Sequence, residues 1–379
     1  MSDTNQLADE MQKTSQACQL LGLPEVKTWC STGCTVLDLA ISNNFPGGIP
    51  IGRIVQVYGG ASTAKSVLAT TILGYALRSD KHAFYADVEH TLDPAFAAYY
   101  GLDCTNENFN YGYSWWTGKD KKTAQDQPAT LEEFFDEYLG GILKLRTRKP
   151  KVVVVDSITA LPAAFETGTD MTKQGFGAYR AKQISLGLRK YISLLAEKDV
   201  TLFVVDQTRD DVGGGSYSSE VTTGGRGFEF YSSVRLHLTH GRRVVNSNEK
   251  DIGVWVNFKV DKNKVAPPFR KGKFKIIFDY GMDDIVSNLS YLALVKSGVD
   301  PSYKLTTSVV LGVCKTCGAL CLPGAEKCSC GGPVESVDKQ IQHWLTHIEK
   351  ESREKDLQQI IAATWAEEYK TPDRKPREW

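Results

Sequence analysis

The stretch that most constrains this chain is "RIVQVYGGASTAKSVLATT", residues 53–71. A strand-like run ends in a glycine-containing loop, and the loop opens into a segment with helical apolar spacing. That is the setting of a phosphate-binding loop, G-x-x-x-x-G-K-[ST], spanning Gly59, Gly60, Ala61, Ser62, Thr63, Ala64, Lys65 and Ser66, with Ala64 where the pattern has glycine. Backbone N–H groups from 61 to 66 would cradle phosphates at the helix N-terminus. Lys65 would reach the β- and γ-phosphates, and the Ser66 hydroxyl would bind Mg2+. The plainer reading is a strand-to-helix turn with a solvated lysine. Alanine at 64 adds little bulk, but it carries a penalty if the loop needs a positive φ there.

The rest of the chain alternates between strand and helix signals. "HAFYAD" (82–87), "KVVVVDS" (151–157) and "VTLFVVDQ" (200–207) read as strands, and "KVVVVDS" is apolar throughout, as buried parallel strands are. Helices are expected over "KSVLATTILGYALRS", over "TLEEFFDEYLGGILKLRTR" (130–148) and over about 175–197. This order predicts an α/β fold with a mostly parallel sheet covered by helices on both faces. "SVRLHLTH", "GVWVNFKVDKN" and "KFKIIFDY" read as a meander extending that sheet. "RDDVGGGSYSSEVTTGGRG" (209–227) is rich in glycine and serine without periodicity, and a mobile loop is expected there. Residues 1 to about 30 read as a short polar helix and linker. From about 283 the composition shifts toward a small domain, with a helix expected at about 336–350 bearing Val337, Ile341, Leu345 and Ile348 on one stripe. The final stretch, "EKESREKDLQQ…PDRKPREW", is heavily charged and is expected to be solvated.

Two further carboxylates bear on the loop. Asp156 ends the apolar strand "KVVVVD", where it would hold the Mg2+ shell, although buried strands ending in aspartate are common. Glu89, in "YADVEHTLDP" (85–94), follows another strand end, where the carboxyl edge of a parallel sheet places ligands. It would orient or deprotonate an attacking water, or else be a surface carboxylate. Three elements in this order favour a nucleotide site over coincidence.

Bulk composition sets bounds. The 379 residues carry 45 Lys plus Arg against 45 Asp plus Glu, so any nucleic-acid role rests on a local patch. No apolar run approaches the roughly 18 residues of a membrane span. The first residues, "MSDTNQLADEMQKTSQACQ", are polar without an apolar leader core, and a cytoplasmic or nucleoid-associated protein is expected.

These segments together resemble the RecA-type recombinases. The likeness covers roughly residues 30–285 and rests on "STGCTVLDLAI", "GRIVQVYGGASTAKS", "DVEHTLDP", "VVVVDSITAL", "TTGGRGFEFYSSVRL" and "VDKNKVAPPF", in the family's order and spacing. The resemblance implies a RecA-like P-loop ATPase core at 36–282, a protomer-docking arm at 1–35 and a C-terminal domain at 283–379. It implies ATP and Mg2+ as cofactors. Lys65 and Ser66 fall on the Walker A lysine and hydroxyl, Asp156 on the Walker B aspartate and Glu89 on the catalytic glutamate. Gln207 falls on the glutamine that senses the γ-phosphate, and Asp93 and Phe96 on positions lining the adenine. Lys262 and Lys264 match the pair that reaches ATP on the neighbouring protomer, and Phe230 lies in the interface segment. A first DNA loop would occupy 165–177, with Phe176 and Gly177. A second would use Arg209, Val212, Gly213, Thr222, Thr223, Gly224, Gly225 and Arg226, its cations opposed by Asp210 and Asp211.

Nine cysteines is an odd number, and five fall between 314 and 330. Cys314-x2-Cys317 and Cys328-x-Cys330, each pair followed by glycine, read as zinc-ribbon knuckles within about 312–334, with Zn2+ held by four thiolates. A redox CxxC is the alternative, without the flanking strand and helix that chemistry uses. Cys321 is a spare, and could stand in for one of the four ligands. The metal would staple a small subdomain short of core, or else contact DNA. The usual bacterial members of the family it resembles lack this knuckle, so the resemblance does not extend to the C-terminal domain.

The expected activity is therefore a DNA-dependent ATPase that forms a helical homo-oligomeric filament on single-stranded DNA and exchanges strands with homologous duplex DNA. A single-stranded-DNA-binding protein or mediator is a further expected partner, and no membrane. The rivals are a paralogue acting as mediator or branch-migration factor, and a non-catalytic DNA-binding scaffold.

Overall fold

The computed structural model describes residues 26–117, 122–167, 176–210, 220–222, 227–297 and 307–370. Strands β1 (Trp29–Cys30) and β2 (Ile49–Pro50) form a small antiparallel pair. The main sheet is built from β3 (Ile54–Gly59), β4 (His82–Asp87), β5 (Phe109–Tyr111), β6 (Lys151–Asp156), β7 (Val200–Asp210), β8 (Glu220–Thr222), β9 (Val234–Val245), β10 (Asp251–Asn263), β11 (Lys271–Ile277) and β12 (Gly281–Met282). Its order is β12-β11-β10-β9-β3-β7-β6-β4-β5, with β8 paired to β7. Pairing is parallel from β9 through β3, β7, β6 and β4 to β5. It is antiparallel from β9 to β12, so the expected meander extends the parallel half.

The parallel strands are apolar on both faces because both faces are covered. Val152 and Val154 point into one hydrophobic cluster, with Val55, Val57, Phe203 and Val205. Val153 and Val155 point into the other, with Phe84, Leu202 and Val204. Helix α1 (Thr35–Ser42) and helix α2 (Lys65–Arg78) cover the first face. The short α3 (Pro94–Tyr99) follows β4. The second face is covered by the helical segment at 131–142 and by α4 (Phe176–Glu197).

The structure corrects four sequence expectations. The helix expected over 130–148 ends at Ile142, and its middle, Phe134–Leu139, is π-wound. Beyond it Leu143 and Leu145 still touch the core, but Lys144, Arg146 and Arg148 are exposed, and two apolar contacts are too little to hold another turn. The loop expected from 209 is paired at its flanks, where Thr208, Arg209 and Asp210 face Thr222, Val221 and Glu220. The helix expected from about 336 starts at Ile341, because Val334–Gln340 is a strand. That strand, β15, pairs along the whole of β13 (Ser308–Cys314), which also binds β14 (Leu320–Cys321). Cross-strand pairing of the β-branched Val337 with Leu311 outweighs its place at the edge of a helical stripe.

The fourth correction is the charged C-terminus. After α5 (Gly227–Tyr231), α6 (Asp284–Ser297) and α7 (Ile341–Glu351), residues Glu354–Glu368 form a helix, α8, where solvation was expected. Leu357, Ile360, Ile361, Thr364 and Trp365 are buried at helical spacing among the charges. Trp365 donates from Nε1 to Asn43 at the end of α1, and the Arg270 guanidinium stacks on its ring. Among the described residues no helix is long and apolar enough to cross a membrane.

Candidate nucleotide site and thiolate centre

Strand register brings the site together. Gly59 sits opposite Gln207 across β3 and β7, and Asp87 opposite Asp156 across β4 and β6. All four lie at the carboxyl ends of parallel strands, where crossovers leave a crevice. Gly59 is required there, since a Cβ would fall 2.2 Å from the Leu238 carbonyl oxygen. The loop then turns into α2 at Lys65. Ala64 takes up φ 66°, the left-handed conformation that favours glycine, and Ser62 has φ 58°. The Lys65 side chain is curled back and buried, and its Nζ donates to the carbonyls of Gly59 at 3.0 Å and Gly60 at 2.6 Å. Burial depresses its pKa, while Asp156, Glu89 and Asp206 pull the other way.

Asp156 and Glu89 line the same cleft as that lysine, and the Asp87 charge acts on Asp156. Burial pushes Asp156 up to about 6, against hydrogen bonds from Ser66 and Tyr85, and the Glu89 and Asp87 charges raise it further. Asp87 accepts from the backbone of Thr91 at 3.1 Å and Leu92 at 2.9 Å and from the Tyr111 hydroxyl at 2.8 Å, which fixes the turn carrying Glu89. Glu89 Oε1 accepts from Ser157 Oγ and from Gln207 Nε2 at 3.2 Å. Thus Glu89 and Gln207 are in direct contact although 118 residues apart.

Lys65, Ser66, Glu89, Asp156 and Gln207 line one cleft of about 360 Å3, together with Phe96, Tyr100, Val254, Ile276 and Phe278. Phe96 is exposed at the cleft, whereas Asp93 is not in its lining and caps the helix that carries Phe96, accepting from its N–H at 2.8 Å. Tyr85, Ser157, Tyr100 and the apolar wall from β10 and β11 were missed by sequence reasoning. Nothing local marks Val254, Ile276 or Phe278, since the antiparallel extension alone brings them to the loop. Larger hollows of about 660 and 740 Å3 exist elsewhere, but neither contains the glycine loop or its facing carboxylates.

Lys262 and Lys264 are outside the lining of this cleft. Both ammonium groups donate to the Phe230 carbonyl on α5, each at 3.1 Å, and Lys262 also reaches the Glu229 carbonyl. Burial, then the Lys264 and Arg235 charges, lower the Lys262 pKa to about 8. The Phe230 ring beside them is 67% exposed. Of the expected DNA-contacting residues, Val212, Gly213, Thr223, Gly224, Gly225 and Arg226 lie outside the described residues, as does Asp211. Arg209 and Thr222 are placed on the paired flanks β7 and β8, and Phe176 and Gly177 open α4. The docking arm, as far as residue 25, also lies outside the described residues.

The cysteine pairs converge. The sulfurs of Cys314, Cys317, Cys328 and Cys330 all lie within 4.8 Å of one another, with Cys314–Cys330 at 3.5 Å and Cys317–Cys328 at 3.7 Å. A tetrahedron with Zn–S bonds of roughly 2.3 Å has edges of about 3.8 Å, so the donor set fits Zn2+. Backbone N–H groups of Thr316 and Gly332 point at Cys314 and Cys330 sulfurs, each at 3.4 Å. Gly318 and Gly331 adopt φ 69° and 84°, the left-handed turn each knuckle needs. Cys321 stands outside the four-sulfur group and contacts the Ala319 carbonyl.

Comparison with known proteins agrees with this geometry. The sequence model described as the RecA N-terminal domain matches residues 16–110 and 141–283, more than half of the chain, and stops short of the cysteine cluster. "Protein RecA" of Thermus thermophilus is 35% identical over 256 residues, covering 67% of this chain and 68% of that one. "Protein RecA" of Helicobacter pylori strain P12 is 36% identical over 283 residues, covering 72% and 74%. The matched span includes every strand that lines the cleft, and on that ground the chain belongs to the RecA-type recombinase family.

Proposed function

We propose that this chain is an ATP-dependent DNA recombinase that assembles on single-stranded DNA and carries out homologous pairing and strand exchange. The observation that carries the reading is the meeting of Lys65, Ser66, Glu89, Asp156 and Gln207 in one cleft. Each has a distinct chemical task. Lys65 is held by carbonyls that a phosphate oxygen would replace as acceptor. Ser66 and Asp156 fit Mg2+, because three crowded carboxylates with a depressed lysine form a charge cluster that a divalent ion relieves. Bound Mg2+ would neutralise charge on the phosphate oxygens. Glu89 is oriented by Ser157 and Gln207 to take a proton from water, and Gln207 ties that carboxylate to β7, the strand leading into the expected DNA loop. Phe96, Tyr100 and Phe278 line the cleft and would pack against a base. The four thiolates would hold Zn2+ as a structural staple.

The test is ATP turnover with and without single-stranded DNA, followed by strand exchange. Lys65→Ala should abolish hydrolysis. Glu89→Gln should keep nucleotide binding and lose turnover by about a hundredfold or more, as for a general base. Unchanged turnover in Glu89→Gln removes it from that role. A second reading, a paralogue that modulates another recombinase, is favoured by Asp210 and Asp211, which would repel phosphates where the loop begins. DNA-stimulated hydrolysis without strand exchange would select it. Replacing both aspartates with asparagine should tighten single-stranded-DNA binding, and no change at moderate salt would dissociate this loop from DNA.

A further inference from the structure

Two non-glycine residues of the phosphate loop, Ser62 at φ 58° and Ala64 at φ 66°, sit in the left-handed region. Such conformations persist where the surroundings fix them. Part of the fixing is internal: Thr63 Oγ1 donates to the Gly60 carbonyl at 3.0 Å, and Lys65 holds the carbonyls of Gly59 and Gly60. The rest comes from β9, the parallel neighbour of β3. Its backbone presses on Gly59 through the Leu238 carbonyl. Two residues further on, His240 Nε2 bonds the Ala61 carbonyl at 3.0 Å. The acceptor is a carbonyl, so Nε2 carries the hydrogen. His240 is itself placed by Asn257, whose Nδ2 donates to the His240 carbonyl at 3.1 Å.

The direction of that bond matters. A trans peptide is planar, with its C=O and N–H opposed. Turning the Ala61 carbonyl toward His240 therefore turns the Ser62 N–H away from it. Ala61 and Ser62 line the cleft and His240 does not, so the imidazole grips the loop from behind. We infer that His240 is a positioning residue for the phosphate loop: it holds the Ala61–Ser62 peptide with its N–H toward the phosphates and steadies a loop that Ala64 leaves strained. This rests on the nucleotide reading above. In a loop with glycine at 64 the brace would matter less, because glycine takes the left-handed conformation freely. The two positions are thus coupled.

The test uses the full-length protein and four variants: His240→Ala, His240→Gln, Ala64→Gly and the double variant His240→Ala with Ala64→Gly. Affinity for a non-hydrolysable ATP analogue is read by fluorescence, and KM and kcat for ATP are measured with saturating single-stranded DNA. His240→Ala should weaken analogue binding about tenfold and raise KM in step, with kcat within about twofold, since one hydrogen bond that preorganises binding is lost. His240→Gln, whose side-chain amide reaches the same carbonyl, should restore most of the affinity. Ala64→Gly should change affinity by less than about threefold in the wild-type background but recover at least about fivefold in His240→Ala. Wild-type affinity in His240→Ala, or an equal effect of Ala64→Gly in both backgrounds, overturns the brace. Lys65→Ala run alongside separates the two claims: if it binds the analogue normally, the nucleotide reading itself fails, whereas if it loses binding while His240→Ala is silent, only the brace falls.

Discussion

Asp156 is 3% exposed, and burial holds its carboxyl up to about 6 against an ordinary 3.8. Between those values the folded chain keeps a proton that the unfolded chain has released, so stability falls as pH rises through that window and levels off above it. Two units correspond to about 3 kcal/mol at most. The free protein therefore carries a charge at Asp156 that weakens it, which is the expected condition of a group whose role is to face a cation. Asp156→Asn should be more stable than the parent by about 2 kcal/mol at pH 8 without Mg2+, and the two should converge near pH 4. It should also lose the stabilisation that Mg2+ with ATP gives the parent. Denaturant titrations at the two pH values decide this, and equal stability at pH 8 would show that Asp156 is not held ionised at a cost.

Among the elements, the strands were the readable part. "HAFYAD" is β4 to the residue, and "KVVVVD" is β6, because two covered faces demand an unbroken apolar run. Lys65, Ser66, Glu89 and Asp156 were picked out by their places at or after such runs, and Gln207 by the family resemblance; the fold brings all five to one cleft. The illegible elements depend on distant partners. β15 is a strand because β13 lies beside it, and α8 is packed because Asn43 and Arg270 receive Trp365. His240 and Phe278 reach the cleft region through the meander, which no local pattern announces. The thiolate knuckles were readable from spacing, but not their attachment to α8. Arg353 donates to the Cys317 carbonyl at 2.7 Å, and Asp356 accepts from the Leu320 N–H at 3.0 Å. Metal analysis should thus find about one Zn2+ per chain. Cys314→Ser with Cys317→Ser should speed amide exchange in β13, β14, β15 and the first turn of α8, and leave β3, β6 and β7 protected. Native zinc-free protein with full protection in β13–β15 would show that the thiolates are not a structural metal site.

At the scale of the whole molecule, the lysine pair is the piece that one chain leaves unused. Lys262 and Lys264 are both hooked on the Phe230 carbonyl, away from the cleft of their own chain, and the Phe230 ring beside them stands open to solvent. Two ammonium groups at one point, one of them depressed to about 8 by burial and by the Lys264 and Arg235 charges, form a concentrated cation site that the Glu229 carboxylate, itself paired with Arg235, offsets only in part. Such a pair would meet charge developing on a phosphate in the transition state. A second copy packed against α5 would supply that phosphate. Lys262→Ala with Lys264→Ala should then lose DNA-dependent hydrolysis while its own Lys65 and cleft stay intact, and its nucleotide affinity should change far less than its turnover. Mixing this variant with Lys65→Ala should restore part of the activity, because some interfaces combine an intact phosphate loop from one chain with intact lysines from the other. A mixture as inactive as its two parents, with co-assembly verified by cross-linking, would mean that the lysines act within their own chain or not at all.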